Sequence, residues 1–259
     1  MLYEIYGNLE SEQVIIALPA LGERKEIYKE LANQLKEYKM IAFDLPGHNQ
    51  AVQDDYSIAT YIEFIKKTLD ELEVSSAHFI GNSIGGWIIQ EMYSVYPEKV
   101  SSLLLLDGGF YFLGDREDMD SDEEIQLPIV EKLEDLQAAI NEMVFEMEGL
   151  SENTYSNLNS YMLGNFVLKN DVYMHHSNEE ALNSLNQEIL HHNYCLQANI
   201  SVPFNLLIAK NNVDEISQQK LQQFMNTHPS AKVEVIENGY HFLPITNPKE
   251  VAEFIRTTL

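Results

Sequence analysis

Five residues, Gly81-Asn82-Ser83-Ile84-Gly85, constrain this chain more than any other stretch. They follow an apolar run, Ala77-His78-Phe79-Ile80, and precede a helix-like stretch from Trp87 to Tyr96. A G-x-S-x-G sequence between a strand and a helix predicts a sharp turn that lifts the serine above the edge of a sheet. Glycines on either side remove the Cβ atoms that would collide where the two backbones close in. A chain with such a turn has to supply a parallel sheet around it.

The flanking sequence does so. Val14-Ile15-Ile16-Ala17-Leu18, Met40-Ile41-Ala42-Phe43 and Leu103-Leu104-Leu105-Leu106 are short, continuous apolar runs. Between them, Glu26 to Tyr38 and Ile58 to Leu72 carry apolar residues at helical spacing, with Ser57 placed to cap the second helix. Unbroken apolar strands alternating with helices predict an α/β fold, a mostly parallel sheet flanked by helices on both faces. The alternation resumes at Val202 to Ala209, Ser217 to Met225 and Val233 to Ile236, and Asn247-Pro248 opens a last helix. From Gly108 to Asn199 it lapses: Pro128 to Glu148 and Glu179 to Leu196 read as helices, and no strand is expected. The expected organisation is one core, residues 1–107 and 200–259, interrupted by a mainly helical insert, residues 108–199.

Composition narrows the function. With 41 acidic and 16 basic residues among 259, the chain carries a formal charge of −25. That field repels phosphate backbones and anionic bilayers, so neither nucleic acid nor a membrane is an expected partner. Met1-Leu2-Tyr3-Glu4-Ile5 lacks the basic-then-apolar form of a secretory signal, and a cytoplasmic location is the expectation. The single cysteine, Cys195, lies between Tyr194 and Leu196 and reads as a buried thiol.

A serine hydroxyl is a weak nucleophile unless a base takes its proton and a third group holds that base. Ser83 is the expected nucleophile. His241 is the expected base, because it lies in a loop between the late strand Val233 to Ile236 and the final helix. For the acid, Asp214 follows a strand by a short loop and is the first choice, although it is equally placed to cap the next helix. Asp107, at the end of the strand after the turn, is the alternative. The backbone N–H groups of Ile84 and Leu21 are the expected donors to a developing oxyanion; Pro19 has none to give.

These stretches resemble the α/β-hydrolase family over nearly the whole chain. Asp44-Leu45-Pro46-Gly47-His48 is similar to its D-x-P-G-H segment, Gly81 to Trp87 to its nucleophile elbow, and Gly239-Tyr240-His241-Phe242 with Asn247-Pro248 to its histidine loop. The resemblance implies the order serine, acid, histidine, and implies that the insert covers the active site as a cap. It also keeps Asp107 in view, since some dehalogenase-like members carry the acid there. The family's usual His-Gly before the oxyanion donor reads Pro19-Ala20 here. A cofactor-independent serine hydrolase of small esters or related acyl compounds is the implied activity. A ligand receptor with slow or no turnover and a C–C bond hydrolase are the alternatives.

Weaker patterns are set aside. Asp115, Asp118, Asp120 and Asp122 miss the calcium-loop positions for glycine and glutamate, so a solvated acidic loop is expected and no metal. His175-His176 and His191-His192 are adjacent rather than at ligand spacing and read as surface residues.

Overall fold

The computed structural model describes residues 2–49, 55–116, 124–197 and 200–259. In chain order the elements are β1 (Tyr3–Gly7), β2 (Val14–Leu18), α1 (Lys29–Gln34), β3 (Lys39–Phe43), α2 (Ile58–Glu71), β4 (Ala77–Asn82), α3 (Ile84–Val95) and β5 (Val100–Leu106). Then follow β6 (Ile129–Val130), α4 (Leu133–Phe145), α5 (Glu152–Leu163), β7 (Phe166–Lys169), β8 (Val172–His175) and α6 (Glu179–His191). The chain ends with β9 (Phe204–Ala209), α7 (Glu215–Thr227), β10 (Val233–Ile236), α8 (Leu243–Thr246) and α9 (Pro248–Thr258).

Seven strands form one sheet in the order β1-β3-β2-β4-β5-β9-β10. All neighbours are parallel except β1, which runs antiparallel to β3 at the edge. The apolar strands are buried on both faces because side chains alternate between two clusters. Ile16, Leu18, Phe79 and Leu105 point to the face covered by α2 and α3. Ile15, Ala17, Ile80 and Leu106 point to the face covered by α1 and α9. Ser57 caps α2 by accepting a hydrogen bond from the Thr60 N–H, as its position in the sequence suggests. Asn247 precedes α9 without a capping bond from its side chain.

The stretch between β5 and β9 departs from the sequence reading. Besides α4, α5 and α6 it holds a three-stranded antiparallel sheet in the order β6-β8-β7. These strands have two to four residues, too short for an alternating pattern to rise above the neighbouring helices. Leu185 and Ile189 of α6 join the α2/α3 cluster, and Leu136, Ile140 and Leu158 join the other. The insert is therefore packed against the sheet domain on both flanks.

The turn at Ser83 depends on the missing side chains at Gly81 and Gly85. A Cβ on Gly81 would stand 2.2 Å from the carbonyl carbon of Gly85, and one on Gly85 would stand 2.5 Å from the Leu18 oxygen. Strand, helix and the neighbouring strand meet there with no room for a methyl group. We expect Gly81→Ala to cost about 3 kcal/mol of stability, the upper range for overpacking a rigid site; urea denaturation of the purified variant would measure it.

Candidate active site

Ser83 occupies the peak of the turn with φ 52° and ψ −120°. A left-handed backbone at a residue with a side chain costs about 1–3 kcal/mol and persists only where its surroundings fix it. Here Ser83 N–H donates to Leu106 O at 2.9 Å and Gly86 N–H donates to Ser83 O at 2.8 Å. The next strand ends alongside, with Asn82 paired to Leu106, so Asp107 emerges beside Ser83. Asp107 has φ 52° as well. His241 comes from the loop after β10, two strands further along the same carboxyl edge.

His241 Nδ1 lies 2.6 Å from Asp107 Oδ2. The Asp107 side chain is only 4% exposed. Both of its oxygens accept further bonds: Ala209 N–H donates to Oδ1 at 2.9 Å, and Asn212 Nδ2 donates to Oδ2. A buried carboxyl group surrounded by donors favours the imidazole tautomer that carries its proton on Nδ1 and leaves Nε2 as an acceptor.

Asp214, the first choice from sequence, does not make this contact. Its Oδ1 accepts from the Ser217 N–H at 2.6 Å and caps α7, and its Oδ2 pairs with Arg116 at 2.9 Å. Its side chain is 50% exposed, and the Ser217 and Arg116 bonds hold its carboxyl down at about 2. The reason is local: a one-turn 3-10 helix, Lys210–Asn212, follows β9 and carries Asp214 away from the sheet edge to the start of α7. Asp107, by contrast, follows its strand directly.

Ser83, Ile84, Leu21, Asp107 and His241 all line one cavity of about 490 Å³. Trp87, Phe110, Leu113, Ile189 and Val213 give it apolar walls, while Arg116, Asn186, Asn212 and Ser217 bring polar groups. Trp87 is held by its Nε1–H, which donates to Tyr111 O at 2.7 Å. Of these lining residues, Phe110, Leu113, Arg116, Asn186 and Ile189 come from the stretch between β5 and β9.

The loop bearing Leu21 is fixed by groups that the sequence reading left without a role. His48 is fully buried, and its Nε2 accepts the Gly22 N–H at 2.9 Å while Nδ1 donates to Pro46 O at 2.9 Å. Asp44 Oδ1 accepts the Lys25 N–H at 2.9 Å and Oδ2 pairs with Lys25 Nζ at 2.8 Å, closing the far end of the loop. The D-x-P-G-H segment thus serves as a cradle for the loop after β2. His176, expected at the surface, is 3% exposed. Its Nδ1 accepts from the Asn49 N–H at 3.0 Å, so Nε2 carries the proton and donates to Gly22 O at 3.0 Å. The adjacency of His175 and His176 in sequence gave no sign of this, because the partner is a backbone carbonyl 154 residues away. His191 and His192 are exposed.

Cys195 is half-buried, and burial pushes its thiol up to about 12, which keeps it protonated. Asp118, Asp120 and Asp122 lie outside the described residues. Among the described residues no cluster of His, Cys, Asp or Glu could hold a metal ion, and no helix is long and apolar enough to cross a membrane.

The model of the alpha/beta hydrolase fold family matches residues 13–144, about half of the chain. The chain belongs to the alpha/beta hydrolase family. Its mostly parallel seven-stranded sheet is the sheet of that fold. A 2-hydroxy-6-oxononadienedioate/2-hydroxy-6-oxononatrienedioate hydrolase of a Pseudomonas species is 36% identical over 78 residues, 28% of this chain and 26% of that protein. A relative from Mycobacterium phage D29 is likewise matched over only 35% of its length. Human monoacylglycerol lipase ABHD6 is 24% identical over 267 residues, 98% of this chain and 77% of the lipase. The thioesterase domain from the curacin biosynthetic pathway superposes with a TM-score of 0.73 at 20% identity, covering 98% of this chain and 94% of that domain. Relatives and structural neighbours of the chain are named esterases, lipases and hydrolases.

Burial holds His48 down to about 4 and His176 down to about 2. Between pH 6.5 and about 4 the unfolded chain protonates these rings and the folded chain does not. Stability therefore falls as pH drops below 6.5, by roughly 2 kcal/mol per histidine at pH 5. Urea denaturation at pH 7 and pH 5 should show this loss, and His176→Gln should reduce it by roughly 2 kcal/mol.

Proposed function

We propose that this protein is a serine hydrolase that cleaves a small ester or related acyl compound through an acyl-enzyme, with Ser83 as nucleophile, His241 as base and Asp107 as the acid that orients it. The observation that carries the reading is the 2.6 Å contact between His241 Nδ1 and the buried Asp107, in the cavity that Ser83 also lines.

In this mechanism Ser83 Oγ attacks the acyl carbonyl carbon as its proton passes to His241 Nε2. The imidazolium that forms is stabilised by Asp107 through Nδ1–H. Negative charge collects on the carbonyl oxygen, and the N–H groups of Ile84 and Leu21 receive it. Collapse expels the alcohol or thiol, which takes the proton from His241. Water then repeats the sequence, with His241 as base, and releases the acid and free Ser83. Residues 1–107 and 200–259 supply the chemistry, and residues 108–199 act as the cap that supplies much of the cavity wall. No cofactor is required by any of these steps. Names of relatives support acyl substrates: a monoacylglycerol lipase matches along almost the whole chain, and a thioesterase domain shares the fold. The dienedioate hydrolase of Pseudomonas favours, as a second reading, C–C bond hydrolysis on the same residues.

Purified protein, Ser83→Ala, Asp107→Ala and Asp214→Ala should be compared on p-nitrophenyl and thioester series and on a diketone, alongside a fluorophosphonate label. We expect labelling of Ser83 with repeated turnover, loss of both in Ser83→Ala, and a fall in kcat of about 10⁴-fold in Asp107→Ala. Asp214→Ala should keep kcat within about threefold and lose about 1 kcal/mol of stability through the missing cap. The reverse ranking of the two aspartates would return the acid to Asp214. Labelling without turnover on any of the series would favour a binding protein instead, and turnover confined to the diketone would favour the C–C reading.

A further inference from the structure

The insert makes polar contacts that a simple cover would not need. The loop after β2 runs Pro19-Ala20-Leu21-Gly22-Glu23-Arg24, and every residue from Gly22 to Arg24 is bonded to the insert. His176 Nε2 donates to Gly22 O at 3.0 Å. Tyr161 OH donates to Glu23 Oε2 at 2.5 Å and accepts the Arg24 N–H at 2.9 Å. Asn165 Nδ2 donates to Glu23 Oε2 at 3.1 Å, and Arg24 Nε returns a bond to Asn165 Oδ1 at 2.7 Å. Arg24 also donates to Tyr161 O at 3.2 Å. Its guanidinium lies 5.3 Å from the centre of the Tyr161 ring.

We propose that His176, Tyr161 and Asn165 are positioning residues for the oxyanion donor, holding Gly22, Glu23 and Arg24 so that the adjacent Leu21 N–H is in place when the transition state forms. The inference rests on the serine-hydrolase reading and adds to it a dependence of the chemical step on the insert.

Three features favour positioning over general packing. First, Gly22 is held at both of its peptide groups: His48 from the core accepts its N–H, and His176 from the insert donates to its carbonyl. Gly22 has φ 80°, a conformation open to glycine, and these two bonds hold it there. Second, the bonds converge on the loop that carries Leu21 rather than on the sheet. Third, the insert has an apolar attachment through buried Leu136, Ile140, Val144 and Leu158, which the Tyr161 ring joins while its hydroxyl, with His176 and Asn165, turns to the loop. Burial also pushes the Glu23 carboxyl above its ordinary range, against the bonds from Tyr161 and Asn165 that favour its ionised form. The sequence departure at Pro19-Ala20 falls in this same loop. A donor misplaced by about 1 Å can cost about 100-fold in rate, so a loop held from the insert links the rate to that contact.

The test compares full-length wild type, His176→Phe, His176→Gln and Tyr161→Phe for ester kinetics, thermal unfolding and inhibition by a trifluoromethyl ketone, which forms a tetrahedral adduct with the serine. We expect His176→Phe and Tyr161→Phe to lower kcat about 10- to 100-fold with KM within about threefold, and to weaken the ketone by the same factor as kcat. His176→Gln keeps a donor toward Gly22 O and should recover most of the loss. If His176→Phe does not fold, Tyr161→Phe, which removes one oxygen, decides alone. Folded variants with wild-type kcat, or a change in KM only, overturn the proposal and leave the hydrolase reading intact. Wild type that neither turns over esters nor binds the ketone refutes the hydrolase reading, and this inference with it.

Discussion

The close approach of β4 to α3 at Gly81 and Gly85 sets the geometry on which the rest of the site depends. It leaves Ser83 in a left-handed conformation above the sheet edge, held by Leu106 O and by the first turn of α3. Because β4, β5, β9 and β10 are adjacent and parallel, their carboxyl ends lie along one edge. Ser83, Asp107 and the His241 loop then meet there without any long excursion of the chain. A sheet with one of these strands reversed would send its following loop to the opposite edge.

Charge is handled at this edge by burial and pairing. Asp107 is almost inaccessible and surrounded by donors from β9, the following turn and His241. Lys25 and Asp44 form a buried pair, with Asn49 Nδ2 also donating to Asp44 at 2.8 Å. His48 and His176 are kept neutral by burial, so each offers the backbone one donor and one acceptor: His48 bonds Pro46 O and the Gly22 N–H, His176 bonds Gly22 O and the Asn49 N–H. A protonated ring would have two donors and would lose the bond it accepts. The neutral state is therefore a requirement of the hydrogen-bond pattern as well as a result of desolvation.

Much of this was legible from residue order. Continuous apolar runs mark a sheet covered on two faces, and those runs became β2, β3, β4, β5 and β9. Strand β1 escaped notice because its exposed edge position mixes Tyr3, Ile5 and Tyr6 with Glu4, which has no decisive period. The short strands of the insert escaped for want of length. Asp214 and Asp107 both follow strands, and nothing in their local sequence says that a one-turn helix carries one of them away while the other stays at the strand end. Asn212 sits inside that turn and reaches back to Asp107. His176 read as a surface residue because adjacent histidines lack ligand spacing, yet its position just after β8 brings it against the loop after β2.

The sequence by itself determined the parallel sheet, the serine turn and the histidine loop, because each depends on residues within a few positions of one another: apolar runs, glycines at a close approach, and a loop between a strand and a helix. Only the tertiary structure decided which aspartate meets His241 and what holds the loop carrying Leu21. Those contacts join residues separated by 134 and 154 positions. They are set by which strands lie side by side and where the insert folds back, and no local pattern encodes either.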